Sequence, residues 1–116
     1  MALGKEEIMS TDDARVRVLQ VAAWSSNGVP AEVFIRTISG VERDRIEEKA
    51  SKKELKNFRA GLASMFLSDD SGKRLFGDAD VPALGMKSAA ALDCIMDAGL
   101  EFNHMDAGAE ERLGKD

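Results

Sequence analysis

Two β-branched runs on either side of Ser25-Ser26-Asn27-Gly28-Val29-Pro30 set the first limit on what this chain can fold into. Residues 15–24 read Arg-Val-Arg-Val-Leu-Gln-Val-Ala-Ala-Trp and begin with strict apolar/polar alternation, the period of a half-buried strand. The alternation loses phase after Leu19, as a β-bulge or a strand covered on both faces would produce. Taken alone the run also fits a helix. The segment after it decides, because Asn-Gly supplies positive φ and Pro breaks a helix. Residues 31–37, Ala-Glu-Val-Phe-Ile-Arg-Thr, are strand-like again, so the spacing predicts a β-hairpin with a long connection.

Beyond the hairpin the periodicity turns helical. Ser39 and Glu42 are three apart, the spacing of a capping box, and predict a helix starting at Gly40 with a narrow buried stripe of Val41, Ile46 and Ala50. Ser51 and Glu54 repeat that spacing, which predicts a second helix start at Lys52 or a kink there. Leu55, Phe58, Leu62, Met65 and Phe66 recur on one side of a helix ending near Ser68. Residues 68–72 have turn composition, and Leu75-Phe76 form a short apolar anchor. Asp78 is placed to cap a brief helix over 79–85 that Gly85 ends. Ser88 caps the last helix, whose apolar side is Leu92, Ile95, Met96, Gly99 and Leu100 and whose far side carries Asp93, Asp97 and Glu101. The expected fold is α+β, mainly α: an N-terminal β-hairpin followed by about four helices in a small single domain. Residues 15–104 form that domain, 1–14 a flexible leader and 105–116 a flexible acidic C-terminal tail.

With 116 residues there is room for one core and not two. Cys94 is the only cysteine, so no internal disulfide exists, and a lone thiol fits a reducing cytoplasm. No apolar run approaches the roughly 20 residues of a membrane span, and the start of the chain is too acidic for a secretion signal. Charge is unevenly placed: residues 1–65 hold 11 Lys or Arg against 10 Asp or Glu, whereas 66–116 hold 5 against 11. Such a surface repels nucleic-acid phosphates and suits a protein partner.

The chemistry-bearing residues point to no reaction. Asp69, Asp70, Ser71, Gly72 and Asp78 invite comparison with an EF-hand loop, but aligning Gly72 at the sixth position puts Leu67 where the first ligand belongs. A solvated turn is the expectation. His104 is the single histidine, at the end of the last helix, where an imidazole favours the dipole and lacks the companions of a zinc site. Cys94 lies beside the apolar stripe and reads as a small hydrophobe. Arg43, Arg45, Lys49, Lys52, Lys53, Lys56 and Arg59 are interleaved with five acids between residues 42 and 54, which reads as a solvated, ion-paired face. Met65, Met86, Met96 and Met105 read as core filling. No catalytic residue, cofactor or metal is expected.

The order of the pieces carries more information than any one of them. Val33-Phe34-Ile35-Arg36-Thr37-Ile38-Ser39-Gly40-Val41-Glu42-Arg43-Asp44 is followed by a helix, then by Asp69-Asp70-Ser71-Gly72-Lys73-Arg74-Leu75-Phe76, then by Asp78-Ala79-Asp80-Val81-Pro82-Ala83-Leu84 and the helix from Ser88. This succession resembles the tail assembly chaperones of lambda-like and related long-tailed phages and prophages, over roughly residues 31–104. The connection between Trp24 and Val33 is longer than the family's usual hairpin turn. The resemblance implies a non-enzymatic protein in the cytoplasm of the bacterial host that binds the tape measure protein, helps recruit major tail tube subunits and is not retained in the virion. Neither nucleic acid nor membrane is an expected partner, and a homo-oligomer stays open. A structural tail or head-tail connector protein is the alternative, differing in that it stays in the particle. The expected partner-binding patch is Leu75, Phe76 and Val81, since a short apolar anchor between loops is easier to expose than a helix stripe.

Overall fold

The computed structural model describes residues 2–105. Strand β1 (Val16–Gln20) pairs antiparallel with β2 (Glu32–Arg36), Val18 opposite Phe34, as the hairpin reading expects. The tip of the connection is a two-residue turn in which Asn27 and Gly28 both take positive φ, 52° and 74°, closed by Val29 N donating to Ser26 O at 2.8 Å. That is the turn geometry which Asn-Gly favours. β1 stops at Gln20, short of the expected Trp24, and Ala22–Trp24 form a single 3-10 turn that packs toward the last helix. The loss of alternation after Leu19 thus marks the strand's end and neither a bulge nor a two-sided burial.

Among the described residues four α-helices follow the hairpin. Helix α2 (Gly40–Ser51) starts at the predicted capping box: Glu42 N donates to Ser39 Oγ at 3.2 Å, and Ser39 N to Glu42 Oε1 at 3.0 Å. Its buried stripe is narrower than expected, because Ile46 alone is buried and Val41 is 71% exposed. The second capping spacing does not act as one. Ser51 Oγ donates back to Glu48 O, Lys53 takes φ 57°, and Lys53 N and Glu54 N close onto Ala50 O and Lys49 O. This is a Schellman stop with lysine in the place glycine usually fills, and it ends α2 outright. Helix α3 (Phe58–Phe66) begins only after Asn57, itself at φ 55°, so Leu55 lies outside the helix and is exposed.

Where the apolar spacing predicts that α3 runs on to Ser68, Leu67–Ser68 instead form strand β3, pairing with Ile35 and Phe34 of β2. The sheet order is β1-β2-β3. The predicted turn at 68–72 is present: Asp69 Oδ1 accepts from Ser71 N, Ser71 Oγ and Lys73 N at 2.7–3.0 Å, and Gly72 takes φ 90°. Asp78 is not the cap of the next helix. Asp80 reaches back to the Gly77 amide at 2.8 Å across the 3-10 turn Asp78–Asp80, which leaves Asp78 to pair with Arg45 and Arg74. Helix α4 (Val81–Leu84) ends at Gly85 as expected, and Ser88 Oγ accepts from Ala91 N at the start of α5 (Ala89–Phe102). At the other end His104 takes φ 56° while Met105 N donates to Leu100 O, a second Schellman stop.

The core forms where α3 lies on α5 and both meet the sheet. Ile35, Leu67 and Val21 supply the sheet side, Phe66, Leu62 and Ala63 come from α3, and Ile95, Leu92 and Ala91 from α5. Asn103 ties the end of α5 to the sheet, its Oδ1 accepting from Ile38 N at 2.8 Å and its Nδ2 donating to Arg36 O at 3.2 Å. Upstream, the leader 1–14 contains a helix the sequence does not announce, α1 (Lys5–Ser10), none of whose residues is buried. The tail expected at 105–116 lies outside the described residues except for Met105.

The start of α2 is fixed to this body by the ion pair of Glu42 with Arg36. The Arg36 guanidinium donates to both Glu42 carboxylate oxygens and to Met65 O at 2.8 Å. Burial works to raise the Glu42 pKa, but the bonds from Arg36 and Ser39 outweigh it and hold the carboxyl below its ordinary 4.5. A carboxylate depressed in the folded state adds stability that is complete above 4.5 and is lost as pH falls through the folded value. Glu42→Gln should therefore cost about 1–2 kcal/mol at pH 7, and the gap from the parent should close as urea titrations are stepped below pH 4.5.

Candidate partner-binding groove

The two sides of α3 meet different surroundings. One side is packed on α5. The other, with Phe58, Leu62 and Met65, forms the floor of a groove of about 370 Å³, walled by α2 through Arg45, Ile46 and Lys49 and by the following elements through Asp78, Val81 and Pro82. Glu54, Lys56 and Asn57 line it from the α2–α3 connection. α2 buries only Ile46 here and is joined to α3 through residues 52–57.

The rim is charged. Arg45 Nη2 reaches Asp78 Oδ2 at 2.8 Å, bridging α2 to the 3-10 turn ahead of α4. The hydrogen bond from Arg45 is the largest influence on the Asp78 carboxyl; burial opposes it, and with the charges of Arg45 and Arg74 added the carboxyl is held below its ordinary range. Lys49, Lys56 and Glu54 take part in no ion pair among the described residues. An apolar floor with a rim of this kind can hold an apolar side chain and orient it by charge; it offers no nucleophile with an adjacent base.

Two glycines show what the groove lacks. At Gly99 on α5 a Cβ would run into the Phe66 ring, so close helix packing explains the residue. At Gly61 on α3, facing the groove, a Cβ would meet nothing within 4 Å. A glycine inside a helix costs about 0.5–1 kcal/mol relative to alanine, and no contact among the described residues accounts for a glycine at position 61. Gly61→Ala should accordingly stabilise the free protein by about 0.5–1 kcal/mol, read as a higher urea midpoint.

The expected patch is divided by the fold. Val81 lines the groove and also packs on the core; Phe76 packs against the core outside the groove; Leu75 is 54% exposed. The basic cluster is partly the i,i+4 face that its spacing suggests, with Arg43 on Glu47 and Lys52 on Glu48, while Arg59 and Arg45 pair across the fold with Asp93 and Asp78. Lys49 and Lys56 are the members that this pairing omits and the groove collects. Cys94 is half-buried, its Sγ 3.7 Å from Gln20 O, and His104 is exposed, so the two are not brought together in a cleft. Asp69 spends its carboxylate on the turn. Among the described residues no three His, Cys, Asp or Glu are grouped to hold a metal, and no helix is long and apolar enough to cross a membrane. Met65 is buried, Met96 and Met105 pack on the core, and Met86, expected as core, is 86% exposed beyond the end of α4. Sequence reasoning misses Gly61; the available signal is a glycine amid the apolar residues of the firmest helical stretch. No family model, curated protein or solved structure matches this chain.

Proposed function

We propose that this chain is a tail assembly chaperone of a long-tailed phage or prophage. In this reading it acts in the cytoplasm of the bacterial host without making or breaking bonds. It covers apolar stripes of the tape measure protein, helps recruit major tail tube subunits and is left out of the finished virion. The observation that carries the reading is the groove beside α3, where half-buried Phe58, Gly61 and Val81 lie over the buried Leu62 and Met65 and, among the described residues, remain partly open to solvent. An extended helical protein exposes apolar anchors at i, i+3, i+4 and i+7 that aggregate unless a partner's groove receives them. Of the patch Leu75, Phe76 and Val81, Val81 alone lines that groove, and the acidic half of the chain, 66–116, would keep the complex dispersed. The reading also rests on the family resemblance, which is carried by the succession of capped helix, Asp69 turn, short helix and closing amphipathic helix. Quantitative mass spectrometry of an infected or induced culture tests the proposal. The chain should be abundant in the lysate and missing from purified particles; a fixed stoichiometry in the particles would make it a structural tail or connector protein instead.

A further inference from the structure

Strand β1 is an outer strand of the sheet, and among the described residues its free edge is open. Thr37 N donates to Arg15 O and Val21 N to Ala31 O, both at 2.9 Å, so in the β1–β2 register the main-chain groups of Arg17 and Leu19 point at β2. Antiparallel pairing alternates, which turns the amides and carbonyls of Val16, Val18 and Gln20 outward. Among the described residues those of Val16 and Val18 take part in no hydrogen bond, and Gln20 O has only the Cys94 Sγ at 3.7 Å. The register runs without a bulge from Val16 to Gln20 and β1 contains no proline, so neither of these usual guards blunts the edge.

The side chains along the edge restrict what can pair with it. Arg15 and Arg17 lie on the face toward α5, where with Thr37, Glu101, Phe102 and His104 they line a hollow of about 540 Å³. The Arg17 guanidinium sits 4.7 Å from the centre of the Phe102 ring, which draws its charge off the edge and onto the helix side. Neither arginine forms an ion pair among the described residues; Arg15 Nη1 donates to the carbonyls of Asp12 and Ala14. The Asp12 carboxylate accepts from Ala14 N and does not line the hollow, which leaves Glu101 as the acid facing two guanidinium groups. On the opposite face of β1, Val18 is 49% exposed beside the half-buried Phe34. We infer that this edge takes an extended acidic segment of another protein as a fourth strand, its carboxylates beside Arg15 and Arg17 and its alternate, apolar side chains beside Val18.

Outward amides and carbonyls that recur at every second residue are matched by another strand; a helix has already used its own. Charge then selects the sequence of that strand. Side chains two apart share one face, so carboxylates at alternate positions meet both arginines, whereas a basic segment is repelled. A second copy of β1 fits less well, because it would bring two more guanidinium groups, its own Arg15 and Arg17, to an edge that needs carboxylates. The hollow shares no lining residue with the groove beside α3, so this contact stands apart from the tape measure reading.

The test is fluorescence anisotropy of a labelled peptide of alternating Glu and Val, titrated with the full chain. Saturable binding with a Kd below roughly 1 mM is expected. A peptide of alternating Lys and Val, and the Glu-Val peptide with all its amides methylated, should each bind at least tenfold more weakly. Arg17→Glu and Val18→Pro should each lower the affinity of the chain at least tenfold. Val18→Pro removes an outward amide and no ladder bond, so circular dichroism should be unchanged; if that variant fails to fold, the methylated peptide asks the same question of the parent chain. No binding of the Glu-Val peptide, equal binding of the Lys-Val or methylated peptide, or indifference to Arg17→Glu would overturn the proposal. A dimer of twice 12.5 kDa that Val18→Pro abolishes would overturn it too, since the edge would then take a second copy. Failure of the virion experiment, by contrast, would leave it standing.

Discussion

Phe66→Ala is expected to destabilise the domain by about 3–5 kcal/mol, enough to leave much of the population unfolded. Phe66 is wholly buried at the end of α3, the largest side chain in the core with no exposed surface. It packs against Gly99 of α5, and the next residue, Leu67, already belongs to the sheet. Removing the ring therefore opens a cavity where two helices and a sheet meet, and none of the three can collapse into it alone. Urea unfolding followed by circular dichroism gives the loss directly. A loss below about 1 kcal/mol would mean that the α3–α5 contact is not the centre of the fold.

Gly99→Ala should be the second large effect, in the direction opposite to helix propensity. An alanine in the interior of α5 gains up to about 1 kcal/mol of helix stability. The new methyl, however, would overlap the base of the Phe66 ring, which is held from all sides and cannot swing away. Overpacking of this kind costs typically about 1–3 kcal/mol, occasionally more, so the net change is a loss. The coupling between the sites is the sharper observable. In a Phe66→Ala background the cavity accepts the methyl, and Gly99→Ala should become neutral or stabilising. Additive losses in the double variant would show that the two residues do not touch.

Gly61 is the mirror of this case. The same substitution in a neighbouring helix is predicted to stabilise, because its methyl points into the groove. In sequence Gly99 falls on the apolar side of its helix, whereas Gly61 stands beside the stripe of Leu55, Phe58, Leu62, Met65 and Phe66. Only the fold tells that one is filled from across the core and the other faces open space.

Residues whose partners lie close in sequence were legible beforehand. The Ser39–Glu42 box, the Asn27-Gly28 turn, the Asp69 turn, Gly85 and the Ser88 cap all depend on contacts within four positions. The α+β, mainly α class followed from them. What stayed hidden depends on distant partners or on unusual occupants of standard positions. Leu67 and Ser68 continue the apolar spacing of α3, and the edge of β2 turns them into a strand. Lys53 ends α2 where glycine is the usual signal, so the Ser51–Glu54 spacing suggested a restart that the backbone does not make. Asp78 and Asp80 are equivalent by composition; the reach to Gly77 selects Asp80 as the cap, and Arg45, 33 residues away, takes Asp78. The candidate site suffered most. Its walls come from three separate segments, so only Val81 of the patch expected at Leu75, Phe76 and Val81 lines it.

The claim on which the account depends is that this chain acts by covering apolar surface of another polypeptide. Co-expression with the tape measure protein of the same phage or prophage, followed by high-speed centrifugation, measures that most directly. The account predicts that the tape measure protein pellets when made alone and stays in the supernatant, bound to this chain, when the two are made together. A tape measure protein that pellets equally in both cases, with this chain left free above it, would contradict it.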